Sequence, residues 1–538
     1  MKRAGNRESG ANSLAVAACL FFFAAGQFFI PLLGVEDDEA LFATPILQPK
    51  TGMWVKVWHS HFLFMLMSYL GTVKTWIMAP VLRVFGTSVW AIREPALIAG
   101  AASIWLFYLL LRRTNGARAA VLGAWLLAAD SIYLLTTCFD WGPTALQHLL
   151  EIGAMTALVY FYQERRERML ALGFFLFGLV LWDKALAAWM LSGIGIAVLL
   201  MIPRKILSLF SRRRVGIALA SFVLGALPLL LFNTQNHWET FRGNFKRDFS
   251  DLPGKSRMLM NTVGGQGLFG YMTSEDQDTP KPHPPGGLPQ WISDLAGHPR
   301  YNLMVYALVL AILLAALARG AALRTIAASA IAMIIAWIQM AITAGAGGSV
   351  HHTVLLWPLP MAIVAVSFAA ASRRLGRAGL PALAAAALVL IVAHVLVTNE
   401  YYVQLTRNGA GSVSWSEAIF PLNETVKAVP AKYVFCIDWG IIDSLRLLSH
   451  GKLKLREGSD PINKPELTPE DREEVARRAA DPDAIFVGRA RDAEVFKGVT
   501  EKTVKIAADA GYARQTIAAI SDRYGRPMFE VFRFVPAR

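Results

Sequence analysis

Charge is scarce in this chain. Asp, Glu, Lys and Arg make up 17% of its 538 residues, against 55% for the hydrophobic set, and a mean hydropathy of +0.42 is too apolar for an ordinary soluble domain. Cysteine is scarcer still: Cys19, Cys138 and Cys436 are all there are. They offer no metal-ligand spacing and no disulfide framework, although a Cys138 to Cys436 bond stays open on sequence alone. No compact basic domain is present, so the net charge of +14 does not read as nucleic-acid binding. The basic clusters sit beside apolar runs instead, where they act as topology anchors. Internal repeats are missing as well, which removes one signature of a repeat-built transporter.

What the sequence does have is a series of ten or eleven apolar runs. The first covers 13–33, follows Lys2, Arg3 and Arg7, and lacks a small-residue cleavage signature, so it reads as a retained helix with its N-terminus inside. The others cover 95–111, 117–137, 143–162, 170–182, 185–202, 215–232, 303–317, 326–343, 353–371 and 380–397. Threaded alternately, they put Arg112 with Arg113, the cluster 164–168, the run 204–214, Arg319 with Arg324, and the run 373–377 on one side. Every one of those loops then satisfies the positive-inside rule. The outer side receives 34–94, 138–142, 183–184, 233–300, 345–351 and everything after 398.

The expected fold is therefore mainly α: a polytopic membrane domain of about eleven transmembrane helices over 1–398, with a small α/β extracytoplasmic domain over 399–538. In the tail, short apolar runs at 433–437 and 484–487 alternate with a polar helical stretch at 469–480. Within the first outer loop, 53–67 and 69–85 mix Trp, Phe and Met with Lys56, His59, His61, Lys74 and Arg83, a composition that suits helices lying in the interface. The Pro- and Gly-rich stretch 279–289 reads as loop.

Candidate chemistry collects on the outer face. Glu36, Asp37, Asp38 and Glu39 run consecutively after the first span and would repel one another if all were ionised, so at least one needs a cation partner or an altered pKa. Asp140 precedes Pro143, which suits the first turn of a helix, so capping is one reading of it. Thr144, Gln147, His148 and Glu151 then form one polar stripe descending into the membrane, a costly arrangement unless it lines a cavity or a helix contact; Asp130 on the preceding helix is placed to share it. Lys184 and the pair His351, His352 lie at span ends, where they serve either as interfacial anchors or as a cradle for an anionic lipid phosphate. His59 and His61, two residues apart, face differently on a helix and make a weak metal site. Gly265-Gln266-Gly267-Leu268-Phe269-Gly270 matches GxGxxG without a strand-turn-helix context, which argues against dinucleotide binding. A flexible loop over a lipid or acceptor site is the better use of those glycines.

With these residues in place, the sequence resembles the GT-C class of membrane glycosyltransferases, specifically bacterial relatives of protein O-mannosyltransferases and of the lipid A aminoarabinose transferase. The resemblance covers roughly 13–398. Its residues are Asp38-Glu39-Ala40-Leu41-Phe42 after the first helix, Asp140 in the second outer loop, Lys74 in Tyr69-Leu70-Gly71-Thr72-Val73-Lys74, and His351-His352-Thr353-Val354-Leu355-Leu356-Trp357-Pro358 before a late helix. The two histidines stand where many relatives carry an Arg-Tyr type pair. The resemblance implies transfer of a sugar from a polyprenyl-phosphate donor to a glycan, lipid or protein acceptor at the outer face of a bacterial inner membrane. It assigns Asp38 as base, Asp140 and Glu39 as orienting groups, and Lys74, Lys184, His351 and His352, with His148 nearby, as the donor contacts. No cofactor is required, and a divalent cation between Asp38 and Asp140 is an open alternative. A transporter or flippase of lipid-linked sugars could use the same polar cavity, and a non-catalytic sensor would place its information in the tail.

Overall fold

The computed structural model describes residues 2–49, 51–275 and 287–537; most of the expected 279–289 loop lies outside them. Among the described residues six helices are long and apolar enough to cross a membrane: Ser9–Phe29, Val89–Asn115, Arg212–Gln235, Ala321–Ala341, Val350–Arg374 and Gly376–Asn408. A further candidate is bent, since Ala117–Ala129 and Ser131–Cys138 meet at 58°. Thr144–Glu164, Glu167–Asp183, Ala188–Met201 and Met304–Leu314 fill the remaining expected positions. The helices fall where the apolar runs fall, but a count of eleven spans is reached only by admitting short ones. Glu167–Asp183, with 17 residues, reaches about 25 Å, less than the roughly 30 Å of a hydrocarbon core. The chain is a multi-pass membrane protein.

Leu359–Arg374 is apolar up to Arg373 except for Ser367 and Ser372 and is buried on nearly every side, as a helix without a charged face must be. It forms the centre of the bundle, packed against Ala321–Ala341, Ala117–Ala129, Met304–Leu314 and Gly379–Asn408. Glu167–Asp183 and Arg212–Gln235 cross backbone to backbone at a pair of glycines. A Cβ on Gly178 would stand 2.3 Å from Phe222 O, and one on Gly225 would stand 2.2 Å from Phe175 O. Only small residues permit that approach between membrane helices.

The segment after the first membrane helix departs from expectation. Instead of an interfacial helix, 53–67 forms a hairpin of β1 (Met53–Val57) and β2 (Ser60–Met67), extended by β3 (Leu70–Gly71) in antiparallel order β1-β2-β3. Trp, Val and Phe favour a pleated, half-buried surface over a helix, and Val57 pairs with Ser60 across the two residues Trp58 and His59. The second segment is helical as expected, over Val73–Phe85. Asp130 breaks the span read as continuous over 117–137, because its side chain accepts from Tyr133 N at 2.7 Å and starts a new helix.

The last membrane helix runs on to Asn408, and a C-terminal sheet domain follows it. It holds β4 (Tyr433–Cys436), β5 (Leu455–Glu457), β6 (Ala484–Arg489), β7 (Tyr512–Ser521) and β8 (Pro527–Pro536) in one sheet of order β5-β4-β6-β8-β7. β4 runs parallel to β5 and β6, while β8 is antiparallel to β6 and β7. Helix Pro469–Ala479 starts with a Thr468–Asp471 capping box. The strands at 433–437 and 484–487 and this helix are those anticipated. All three cysteines are free, so the Cys138 to Cys436 bond does not form. The 265–270 glycine segment is firmly packed, with Tyr401 donating to Gly265 O at 2.8 Å and its ring stacked 3.8 Å from that of Phe269.

Candidate active site

The four acids that follow the first helix have four different environments. Glu36 caps the short turn Asp37–Ala40, accepting from Asp38 N at 2.7 Å. Asp37 turns to the C-terminal domain and accepts from Asp443 N at 3.0 Å. Glu39 is sealed inside and paired bidentately with Arg93, Nε to Oε1 at 2.6 Å and Nη2 to Oε2 at 2.8 Å. Asp38 alone of the four borders a cavity of about 220 Å³.

Burial raises the Asp38 carboxyl above the ordinary carboxylate value; Lys184, a hydrogen bond from the Trp141 indole and Lys74 pull it back. Glu39 is raised by burial against the opposing pull of Arg93. Burial also raises Glu36 and Asp37, helped in Glu36 by Asp38 and in Asp37 by Asp443. Repulsion within the loop is thus offset by Arg93 at Glu39 and by Lys184 and Lys74 at Asp38, as the crowding of four carboxyls requires.

Asp38 shares its cavity with Tyr69, Trp141, Lys184, Lys246, His351 and His352. Lys184 is held there by backbone: it pairs antiparallel with Leu70, and Ala185 N donates to Tyr69 O at 2.9 Å. Gly71 makes the approach possible, since a Cβ there would stand 2.0 Å from Trp182 O. Burial pushes the Lys184 ammonium down to about 8, against the opposing charges of Asp38, Asp183 and Asp140. Among the described residues no carboxylate lies within ion-pair distance of it. His351 and His352 project from Val350–Thr353 with ring centres 4.0 Å apart. His351 Nδ1 meets Ser349 Oγ at 2.8 Å and its ring lies 4.4 Å from that of Trp141, whereas His352 Nδ1 is buried without a protein partner.

Four expected site residues sit outside the cavity wall. Lys74 is committed to Asp140, Nζ to Oδ2 at 2.7 Å, and to Gly142 O at 3.2 Å. The other Asp140 oxygen accepts from Ala145 N at 3.1 Å, within the first turn of Thr144–Glu164. Glu39 lies behind with Arg93. His148 reaches Val354 O through Nε2 at 3.0 Å and packs on Tyr133. The polar stripe it belongs to is buried inside the bundle, with Gln147 and Glu151 lacking side-chain partners.

The described residues contain no group of three or more His, Cys, Asp or Glu placed to hold a metal. Asp140 accepts a protein donor on each of its two oxygens, Lys74 Nζ on Oδ2 and Ala145 N on Oδ1. Arg93 was missed because it reads as the outer edge of an apolar run; a charge one turn inside such a helix is the signal that could have found it. It donates to Ile30 O, Leu33 O and Gly34 O besides Glu39, and so ties the end of the first helix to the acidic loop. Tyr69 and Trp141 carry no charge pattern, and Lys246 is one cation among several in a long loop.

The pattern of the family described as dolichyl-phosphate-mannose-protein mannosyltransferase matches residues 71–232. No curated protein matches in sequence. Among solved structures the chain is similar to ArnT from Cupriavidus metallidurans bound to undecaprenyl phosphate, with a TM-score of 0.58 at 14% identity over 97% of this chain and 98% of that one. It is also similar to the archaeal oligosaccharyltransferase AglB from Archaeoglobus fulgidus, in complex with an inhibitory peptide and a dolichol-phosphate. There the TM-score is 0.53 at 13% identity over 99% of this chain and 75% of that one. Residues 71–232 carry a mannosyltransferase family pattern, the whole chain takes the fold of these membrane proteins, and the GT-C resemblance read from its sequence is borne out.

Proposed function

We propose that the protein transfers a sugar from a polyprenyl-phosphate donor to a glycan, lipid or protein acceptor at the outer face of the bacterial cytoplasmic membrane, with Asp38 as the base. The observation that carries this reading is the single cavity in which Asp38 faces Lys184, His351 and His352. Acceptor activation needs a carboxylate within reach of solvent and substrate. Departure of a lipid phosphate needs cations or donors aimed at its oxygens. The lipid phosphates bound by ArnT and AglB support the donor class, and the placement of basic loops supports a cytoplasmic N-terminus with a periplasmic tail domain.

In the transfer step Asp38 takes the proton of the acceptor nucleophile as that atom bonds to the anomeric carbon. The bond from this carbon to the phosphate oxygen breaks, and its electron pair leaves with the lipid phosphate. Lys184 and His352 stabilise the charge that grows there, the latter through its unpartnered Nδ1. Lys74 acts indirectly by fixing Asp140, and Glu39 with Arg93 fixes the loop.

The bend at Asp130 is a feature a transporter could use. Its carboxylate, however, is buried and accepts through Oδ1 from Tyr133 N and from Trp357 Nε1 at 3.1 Å, with the His394 ring 3.5 Å from Oδ2. The test is sugar transfer by the purified protein in lipid, with a panel of polyprenyl-phosphate sugars and membrane extract as acceptor, for wild type and Asp38→Asn. Product that disappears in Asp38→Asn while donor binding persists supports the transferase; donor movement across the bilayer without covalent product points to transport.

A further inference from the structure

The outer domain grips the acidic loop on both sides of Asp38. Before it, Gly34 N donates to Trp415 O at 2.9 Å, Ser444 Oγ donates to Val35 O at 2.8 Å, and Asp443 N donates to Asp37 Oδ1 at 3.0 Å. After it, Thr44 Oγ1 donates to Asp443 Oδ1 at 2.8 Å and Arg446 Nε donates to Gln48 Oε1 at 2.9 Å. The approach is close enough that a Cβ on Gly34 would stand 2.1 Å from Ser416 O. Beneath these bonds, Leu447 of the outer domain is wholly buried in the apolar cluster that contains Val35, Ala40, Phe42 and Ala43.

Three of the loop's four acids are therefore spent on protein contacts, and the fourth is left to face the cavity. A carboxylate displaced by about 1 Å from its acceptor can lose on the order of 100-fold in rate, so whatever fixes the loop fixes the chemistry. We infer that the C-terminal domain positions the base: Asp37, held by the backbone of helix Ile442–Leu448, is a positioning residue that directs Asp38 into the cavity. This rests on Asp38 being the base of the proposed transfer. Asp37 itself neither borders the cavity nor touches Lys184, His351 or His352.

The test uses the full chain in lipid with Asp37→Ala, Asp37→Asn and Ser444→Ala, measuring sugar-transfer kinetics and backbone hydrogen exchange over 34–44. An asparagine Oδ1 still accepts from Asp443 N, so Asp37→Asn keeps the contact while removing the charge. Asp37→Ala should lower kcat about 10- to 100-fold with donor KM unchanged and speed exchange over 34–44, while Asp37→Asn stays close to wild type in both. Asp37→Asn as damaging as Asp37→Ala would mean carboxylate chemistry at Asp37 and overturn positioning; a wild-type kcat in Asp37→Ala would overturn it equally. Should Asp37→Ala fail to fold, Ser444→Ala, which removes only the bond to Val35 O, must still speed exchange and lower kcat, and no change in either rejects the inference. If the wild type transfers no sugar from any donor in the panel, the proposed function fails by itself. Exchange then decides the positioning alone, faster in Asp37→Ala than in Asp37→Asn if it holds and equal in the two if it does not.

Discussion

Lys74 Nζ and Asp140 Oδ2 lie 2.7 Å apart with both side chains nearly sealed from solvent, so each is the other's main compensation for leaving water. Removing one partner strands a buried charge, which costs about 3–5 kcal/mol. Lys74→Ala should lose stability on that scale, and Lys74→Ala with Asp140→Ala together should lose far less than the sum of the two singles. Denaturation of the four proteins in one detergent measures the coupling. Additive losses would show that the pair does not act as a unit.

Arg93→Lys is expected to fail as a conservative change. Arg93 makes two bonds to Glu39 and three to the carbonyls of Ile30, Leu33 and Gly34, and an ammonium cannot reproduce a planar fork of that size. Each lost bond to a buried charge is worth about 1.5–3 kcal/mol, so the variant should unfold at a markedly lower temperature. A thermal midpoint within a degree or two of wild type would contradict this role.

Activity should have an acidic and a basic limb. Asp38 must be ionised to act as base, so kcat/KM rises with pH through its carboxyl, which is raised above the ordinary value. Lys184 must be protonated to hold a phosphate, so kcat/KM falls as pH climbs through about 8. Such a profile reports groups of the free enzyme. Lys184→Arg keeps a positive charge at every accessible pH and should erase the basic limb while leaving the acidic one. A basic limb that survives in Lys184→Arg assigns it to another group.

The three histidines should separate. His352→Ala removes a cavity donor and is expected to weaken donor binding, whereas His148→Ala breaks a buried bond to Val354 O and should cost about 1–3 kcal/mol of stability with donor affinity retained. Calorimetric titration with a polyprenyl phosphate, beside thermal unfolding, distinguishes the two effects. His351, bonded to Ser349 Oγ, should show both in smaller measure.

The membrane helices were legible in the sequence because most of them coincide with long apolar runs, and Asp38, Lys184, His351 and His352 stood out because they lie at the ends of such runs. Those ends converge, so residues far apart in sequence share one cavity. What stayed hidden depended on partners. Nothing in Lys74 or Asp140 alone announces that they pair, and Arg93 looks like a flanking charge until the first helix's terminal carbonyls are placed around it. The β1–β2 hairpin was concealed for another reason: Phe62-Leu63-Phe64-Met65-Leu66-Met67 is apolar at every position, so no alternation separates strand from helix.

Helix Gly379–Asn408, at 30 residues, is about 45 Å long, some 15 Å more than a hydrocarbon core is thick. Its upper turns serve as a mast. Tyr524 clasps the mast head by donating to Leu405 O and Thr406 O, and Ser274 N bonds to Gly409 O just beyond. The sheet thereby stands at a height and compass bearing counted in helical residues. One residue added within 399–408 would lift it by about 1.5 Å and swing it by about 100°, carrying Asp443 away from Asp37. Length in this stretch is thus as strictly set as the identity of any side chain.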